Sequence, residues 1–261
     1  MDSTGSAAWK WMLNGHYPGF TLTFTHAVTP EELLRRYGTD PTAARYLPFV
    51  GIDAALVPGP ADAILRVGML HEWAFAIEIL GFMGTVPAIL AEMSHATQTV
   101  AIHVGGSALH TVDYWVDGRP CEKFEPGEAL TLRAAGAHPF WDATERHRAD
   151  HPDAGAVLAA MRAVEDHIGG YLPLEIDDGP LLSAILPQVL PPPPSPVPLP
   201  PLVNPSRPRP LGRPLGSFQA PERTEDGSGA TARHLTVPLI GDFNTSGMGK
   251  RPAAPREGQE Q

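Results

Sequence analysis

The residues of this 261-residue chain that could carry metal or acid–base chemistry are eleven histidines, one cysteine and a scatter of carboxylates. His103 and His110 flank the stretch Gly105-Gly106-Ser107-Ala108 between two apolar runs. If Gly106-Ser107 is a two-residue hairpin turn, His103 faces His110 across the ladder. Opposed Cβ atoms lie ~4.5–5.5 Å apart, which lets two imidazoles share a metal. A third ligand is missing from this arrangement. Asp113 falls on the other face by alternation, and Cys121, opposed to Tyr114 through the next turn, is displaced four residues or ~13 Å along the strand. The expectation is therefore no metal and no cofactor, with His103 and His110 the pair on which a metal site would have to be built. His147 and His151 have i,i+4 spacing, but Pro152 forces His151 out of helical geometry and charged neighbours make a solvated surface.

Glu78 stands apart from the other acids. It comes late in Trp73-Ala-Phe-Ala-Ile-Glu-Ile79, on the face of two alanines, just before Gly81. Small neighbours leave room for a ligand or partner, and a desolvated carboxylate titrates high. The competing expectation is a solvated Glu78, or one paired with Arg66. Phosphate-binding and serine-hydrolase patterns are missing: there is no Gly-x-x-x-x-Gly-Lys-Ser/Thr, no Gly-x-Gly-x-x-Gly after a strand and no Gly-x-Ser-x-Gly elbow. No catalytic residue is assigned.

Several elements can position these groups. Phe20-Thr-Leu-Thr-Phe-Thr25 alternates as a strand does. Thr29-Pro-Glu-Glu-Leu-Leu-Arg-Arg-Tyr-Gly38 is a short helix with an N-cap, proline in the first turn, acids at the positive end, arginines at the other and a glycine stop. The proline-punctuated residues 39–62 read as irregular chain. Ile64–Leu70 and His71–Leu80 read as strands, with Trp73, Phe75, Ile77 and Ile79 on one face. A helix capped by Thr85 runs to about Ser94. Val100–Val104, Leu109–Val116 and a strand ending near Phe124 form two hairpins, the second turning at Asp117-Gly118, the dipeptide a type I′ turn favours. The 3–4 spacing of Val157, Leu158, Met161, Val164 and Ile168 predicts a helix over 153–167. A short helix is predicted from Pro180 to Leu186.

Composition sets the outer limits. The 30 prolines concentrate between Pro187 and Pro214, where lost amide donors and fixed φ predict an extended polyproline segment. The chain accordingly divides into a lead-in (1–15), an α+β domain (16–186) with an antiparallel sheet of hairpins packed by a few helices, and a Pro-rich, disordered tail (187–261). P-x-x-P spacing at Pro191/Pro194 and Pro198/Pro201 could dock an aromatic groove, but with no Arg close outside those prolines it reads as a spacer. The apolar islet Leu235–Ile240 could add to a partner's sheet, or it could be neutral. Residues 1–186 carry 23 acids against 11 Lys/Arg, and 187–261 carry 6 against 8. An acidic domain repels nucleic-acid phosphates. One cysteine rules out an internal disulfide, and no apolar run reaches the ~18 residues of a membrane span. With no visible signal peptide, the expected setting is cytoplasmic.

Phe20-Thr-Leu-Thr-Phe, Thr29-Pro-Glu-Glu-Leu-Leu-Arg-Arg-Tyr-Gly38, Arg66-Val-Gly, Trp73-Ala-Phe-Ala-Ile-Glu78, Gly81-Phe-Met-Gly84, Val116-Asp-Gly-Arg, Phe124-Glu-Pro and Pro180-Leu-Leu-Ser occur in that order. Together they resemble a family of uncharacterised actinobacterial proteins, frequent in streptomycetes and catalogued as a domain of unknown function. The resemblance spans most of residues 9–186 and implies a compact α+β domain. It transfers no catalytic residue. Where the family commonly has a polar or Asn-rich turn, this chain has Gly105-Gly-Ser-Ala. The acidic domain and the lack of a catalytic constellation give the expectation of a non-enzymatic binding or interaction module, immunity-like by analogy alone, with an unidentified protein partner and neither nucleic acid nor membrane. Its rival is a metal-binding protein or enzyme using Glu78 and the His103/His110 pair.

Overall fold

The structure, a computed structural model, describes residues 9–106, 109–188 and 198–203. In chain order the elements are β1 (Phe20–His26), α1 (Pro30–Arg36), β2 (Arg45–Leu47), α2 (Ile52–Ala55), β3 (Asp62–Leu70), β4 (Trp73–Ile79), α3 (Pro87–Met93), β5 (Gln98–Val104), β6 (His110–Val116), β7 (Arg119–Glu125), β8 (Glu128–Ala134), α4 (Pro139–Asp150), α5 (Ala156–Ile168), α6 (Leu174–Asp178) and β9 (Leu181–Pro187). All nine strands join one antiparallel sheet in the order β2-β9-β3-β4-β1-β5-β6-β7-β8. The α+β reading is thus correct. No described helix is long and apolar enough to cross a membrane.

Local chemistry accounts for the elements that position the site. Thr29 Oγ1 accepts from Glu32 N at 3.2 Å and caps α1, and Arg35 and Arg36 lie in its last turn. Arg36 then donates to the carbonyls of Glu92, Met93 and His95, closing the C-terminal end of α3. Asp117 and Gly118 both have positive φ, 47° and 71°, as a type I′ turn requires. α3 begins at Pro87, after a 3-10 turn over Met83–Thr85, so Thr85 is not its cap. Residues 39–62 are less irregular than expected. They supply the edge strand β2 and the one-turn helix α2.

Both faces of the sheet are covered. Phe20, Leu22, Phe24, Phe75 and Ile77 lie under Trp9, Tyr17, α4 and α5. Leu65, Val67, Ala74, Ala76, Ala101 and Trp115 lie under α1 and α3. The small alanines let those helices approach the strands. Two covered faces also explain why Thr21, Thr23 and Thr25, which alternate with buried phenylalanines, are themselves fully buried. Their hydroxyls are satisfied: Thr23 by Tyr37 at 3.1 Å and Thr25 by Thr99 at 2.9 Å.

The predicted helix over 180–186 is instead β9, which sits between β2 and β3. A short, largely apolar run is consistent with a doubly buried strand as well as with a helix, and here the open edge of β3 decides. Leu181, Leu182, Ala184 and Leu186 are all buried. Part of the expected tail also touches the sheet. Leu202 bridges Arg133, and Val203 N donates to Leu132 O at 2.7 Å, so these two residues lie beside β8. The proline run over 189–197 and the islet Leu235–Ile240 lie outside the described residues.

Glu122 joins the sheet to its helical cover. Its carboxylate, 1 % exposed, accepts from Phe140 N at 3.0 Å and Trp141 N at 2.6 Å at the start of α4, where His138 makes no side-chain cap. Burial pushes its pKa up to about 7, against the pull of those two amides. A carboxyl whose pKa is higher folded than unfolded stabilises most when protonated, and that contribution is lost as pH rises between about 4.5 and 7. Glu78 and Asp113, also raised by burial, titrate in the same sense, so the informative quantity is a difference. Between pH 5 and 8 the wild type should lose about 2 to 3 kcal/mol relative to Glu122→Gln. Urea unfolding at the two pH values measures it, and parallel pH profiles for the two proteins would refute it.

Candidate functional site

At the end of the sheet where β1 and β6 begin and β4 and β5 finish, a cleft of about 460 Å³ opens. Its described lining comes from Pro18–Phe20, Leu80–Phe82, Thr85, His103–Gly106, Leu109, Thr111 and Lys123. Leu80, Phe82 and Leu109 are 69 %, 42 % and 50 % exposed, so its rim is apolar and accessible. Leu80 also holds a left-handed backbone, φ 58°, which a bulky residue rarely adopts.

A polar row crosses the sheet behind this rim. Cross-strand register places Glu78 beside Thr21, Thr21 beside His103 and His103 beside Thr111, all facing α1 and α3. One pair further along, Asp113 stands beside Lys123, whose Nζ donates to both carboxylate oxygens at 2.9 Å. Asp113 is fully buried, and its pKa is raised by burial although Lys123 pulls it down.

Thr21 sets the state of His103. Its single hydroxyl proton goes to the Gly81 carbonyl at 2.9 Å, and a carbonyl can only accept. The 2.9 Å contact between Thr21 Oγ1 and His103 Nδ1 must therefore be donated by Nδ1–H. His103 is left with an unprotonated Nε2, which no described residue hydrogen-bonds. Burial, and then the nearby His110 and Lys123, lower its pKa, so the ring is neutral near pH 7.

Glu78 shapes the rim from inside. It is fully buried, and its carboxylate accepts from Met83 N at 2.7 Å, Gly84 N at 2.9 Å and the Gln188 side-chain amide at 2.9 Å. Gln188 Oε1 in turn accepts from Phe82 N at 3.1 Å. A Cβ on Gly81 would collide with the Glu78 carboxylate, which is why the rim needs glycine there. Burial raises the Glu78 pKa against those donors. Arg66 is not its partner but pairs with Asp177.

The two candidate histidines are not opposed. His103 pairs with Thr111, and His110 pairs with Val104. Gly105 N donates to Leu109 O at 2.9 Å, so the loop holds three residues rather than two. One added residue turns His110 to the opposite face. Among the described residues no group of three His, Cys, Asp or Glu is placed to hold a metal. The expected opposition of Cys121 and Tyr114 is also off: a bulge puts Glu122 beside Tyr114. His147 bonds Asp166 across α4 and α5 at 2.8 Å, and His151 is the α4 C-cap, outside helical geometry as Pro152 implies. Thr21 and Lys123 carry no motif of their own; strand register alone brings them to His103.

An antiparallel sheet buried on both faces, with a half-apolar cleft at one end, is the kind of domain these residues build. The chain belongs to a family of unknown function, DUF6461, whose sequence model matches residues 6–164. No curated protein and no solved structure matches it.

Proposed function

We propose that this chain is a binding module whose working surface is the cleft between Gly19, Phe82, His103 and Leu109, and that its ligand is a small molecule with an apolar body. The observation that carries this reading is the exposed apolar rim set over a polar floor in which Lys123 and Asp113 are paired with each other and His103 Nδ1 with Thr21. Clefts of this size, mostly apolar with a few placed polar groups, are the usual form of a small-molecule site. Glu78 acts in this reading as the anchor that holds the rim segment 80–85 in place.

Titrating 4-methylanisole, a neutral aromatic probe, into the ¹⁵N-labelled full chain should shift the amides of Gly19, Leu80, Phe82 and Gly105 while leaving α4 and α5 unmoved. Leu109→Asp should abolish the response without lowering the melting temperature, because Leu109 is half exposed. Shifts scattered over the surface, or no saturable response, would remove the reading.

A further inference from the structure

The state of the cleft's polar groups narrows what it accepts. Lys123 is the only cation in its described lining, and both Asp113 oxygens hold the ammonium. His103 contributes no charge, and Glu78 is sealed behind the rim. The cleft thus offers no uncompensated positive charge to attract an anion. Its polar floor instead includes an imidazole acceptor, His103 Nε2, whose protonation follows from the chain Gly81 C=O, Thr21 hydroxyl and Nδ1–H.

Resting on the binding role proposed above, we infer that the ligand is uncharged and carries an O–H or N–H donor on an apolar, ring-sized body, the donor being received by His103 Nε2 while the body lies against Leu80, Phe82 and Leu109. A phenol or an indole-type N–H has this chemistry. A carboxylate does not, since its oxygens would meet the imidazole lone pair and compete with Asp113 for Lys123. Thr21 is a positioning residue: it fixes the tautomer without lining the cleft.

Two measurements on the full chain at pH 7.5 test this. Nitrogen shifts of the His103 ring should show the proton on Nδ1, and in Thr21→Val that preference should weaken; a proton on Nε2 in the wild type would overturn the inference. Calorimetric titration should rank 4-methylphenol about tenfold above 4-methylanisole, the factor a hydrogen bond to a waiting acceptor supplies, with 4-methylbenzoate weakest. In His103→Phe, which keeps a ring in place, the phenol and the ether should bind alike. Equal binding of phenol and ether to the wild type would sink the donor assignment and leave the binding module standing. A preference for the benzoate would also overturn the inference, in favour of an anion site built on Lys123. Failure of all three probes to bind would remove both proposals.

Discussion

Asp177→Ala should be among the most damaging single substitutions in the domain, costing about 3–5 kcal/mol. Asp177 is fully buried on α6, and its carboxylate pairs with the fully buried guanidinium of Arg66 on β3. The same carboxylate accepts from the Tyr17 hydroxyl at 2.6 Å and from His16 Nε2 at 3.0 Å. One side chain thus ties the N-terminal segment, the middle of the sheet and the last helix together. Burial and the adjacent carboxylate push the Tyr17 phenol well up, so it is a donor near neutral pH.

Truncation to alanine would leave Arg66 inside with no carboxylate, its charge met by the carbonyls of Leu47, Asp177 and Gly179 and the face of Phe49. An unpaired buried cation costs far more than the pair contributes. Adding Arg66→Met to Asp177→Ala should therefore recover part of the loss. Denaturant midpoints of the two variants decide the matter: if the single change costs under about 1 kcal/mol, or if the second change adds to the damage, the pair is not what locks these segments together.

Legibility in the sequence followed how local the cause was. The capped helix from Thr29 to Gly38, the Phe20–Thr25 alternation and the Asp117-Gly118 turn depend on neighbours within four residues, and all three stand where they were expected. Glu78 could also be singled out, because a carboxylate on an alanine face before a glycine is a local anomaly. What it bonds could not be read, since Gln188 is 110 residues away. The His103 register failed on a single loop residue, the smallest error that reverses a strand's faces. β8 gave no clear signal: Glu-Ala-Leu-Thr-Leu-Arg-Ala is built largely of good helix formers, and the free edge of β7 overrides them. The alternation of β1 does not reveal that its threonines are buried, because the second helical layer, α1 with α3, is assembled from segments that say nothing locally about where they dock.

β9 carries the same lesson into an expectation about where the folding unit ends. A chain terminated after Gly179 should not fold cooperatively, although it retains the whole stretch, 6–164, that the family's sequence model matches. β9 pairs with six residues of β3 and three of β2, and buries four aliphatic side chains. Each buried Leu contributes about 1.5–3 kcal/mol, so losing the strand removes a large part of the 5–15 kcal/mol that holds a domain together. It would also expose β3 as a long apolar edge, open to pairing with other chains. Deleting residues 191–261 should cost far less by comparison, about 1–2 kcal/mol, because the described part of the tail is held by the Leu202 bridge, the Val203–Leu132 hydrogen bond and the packing of a partly buried Val203 against the core. Thermal unfolding of the two truncations, followed by circular dichroism and light scattering, separates these outcomes. A folded, monomeric chain ending at Gly179 would mean that β3 tolerates a free edge and that β9 is an accessory to the sheet rather than a strand its fold requires.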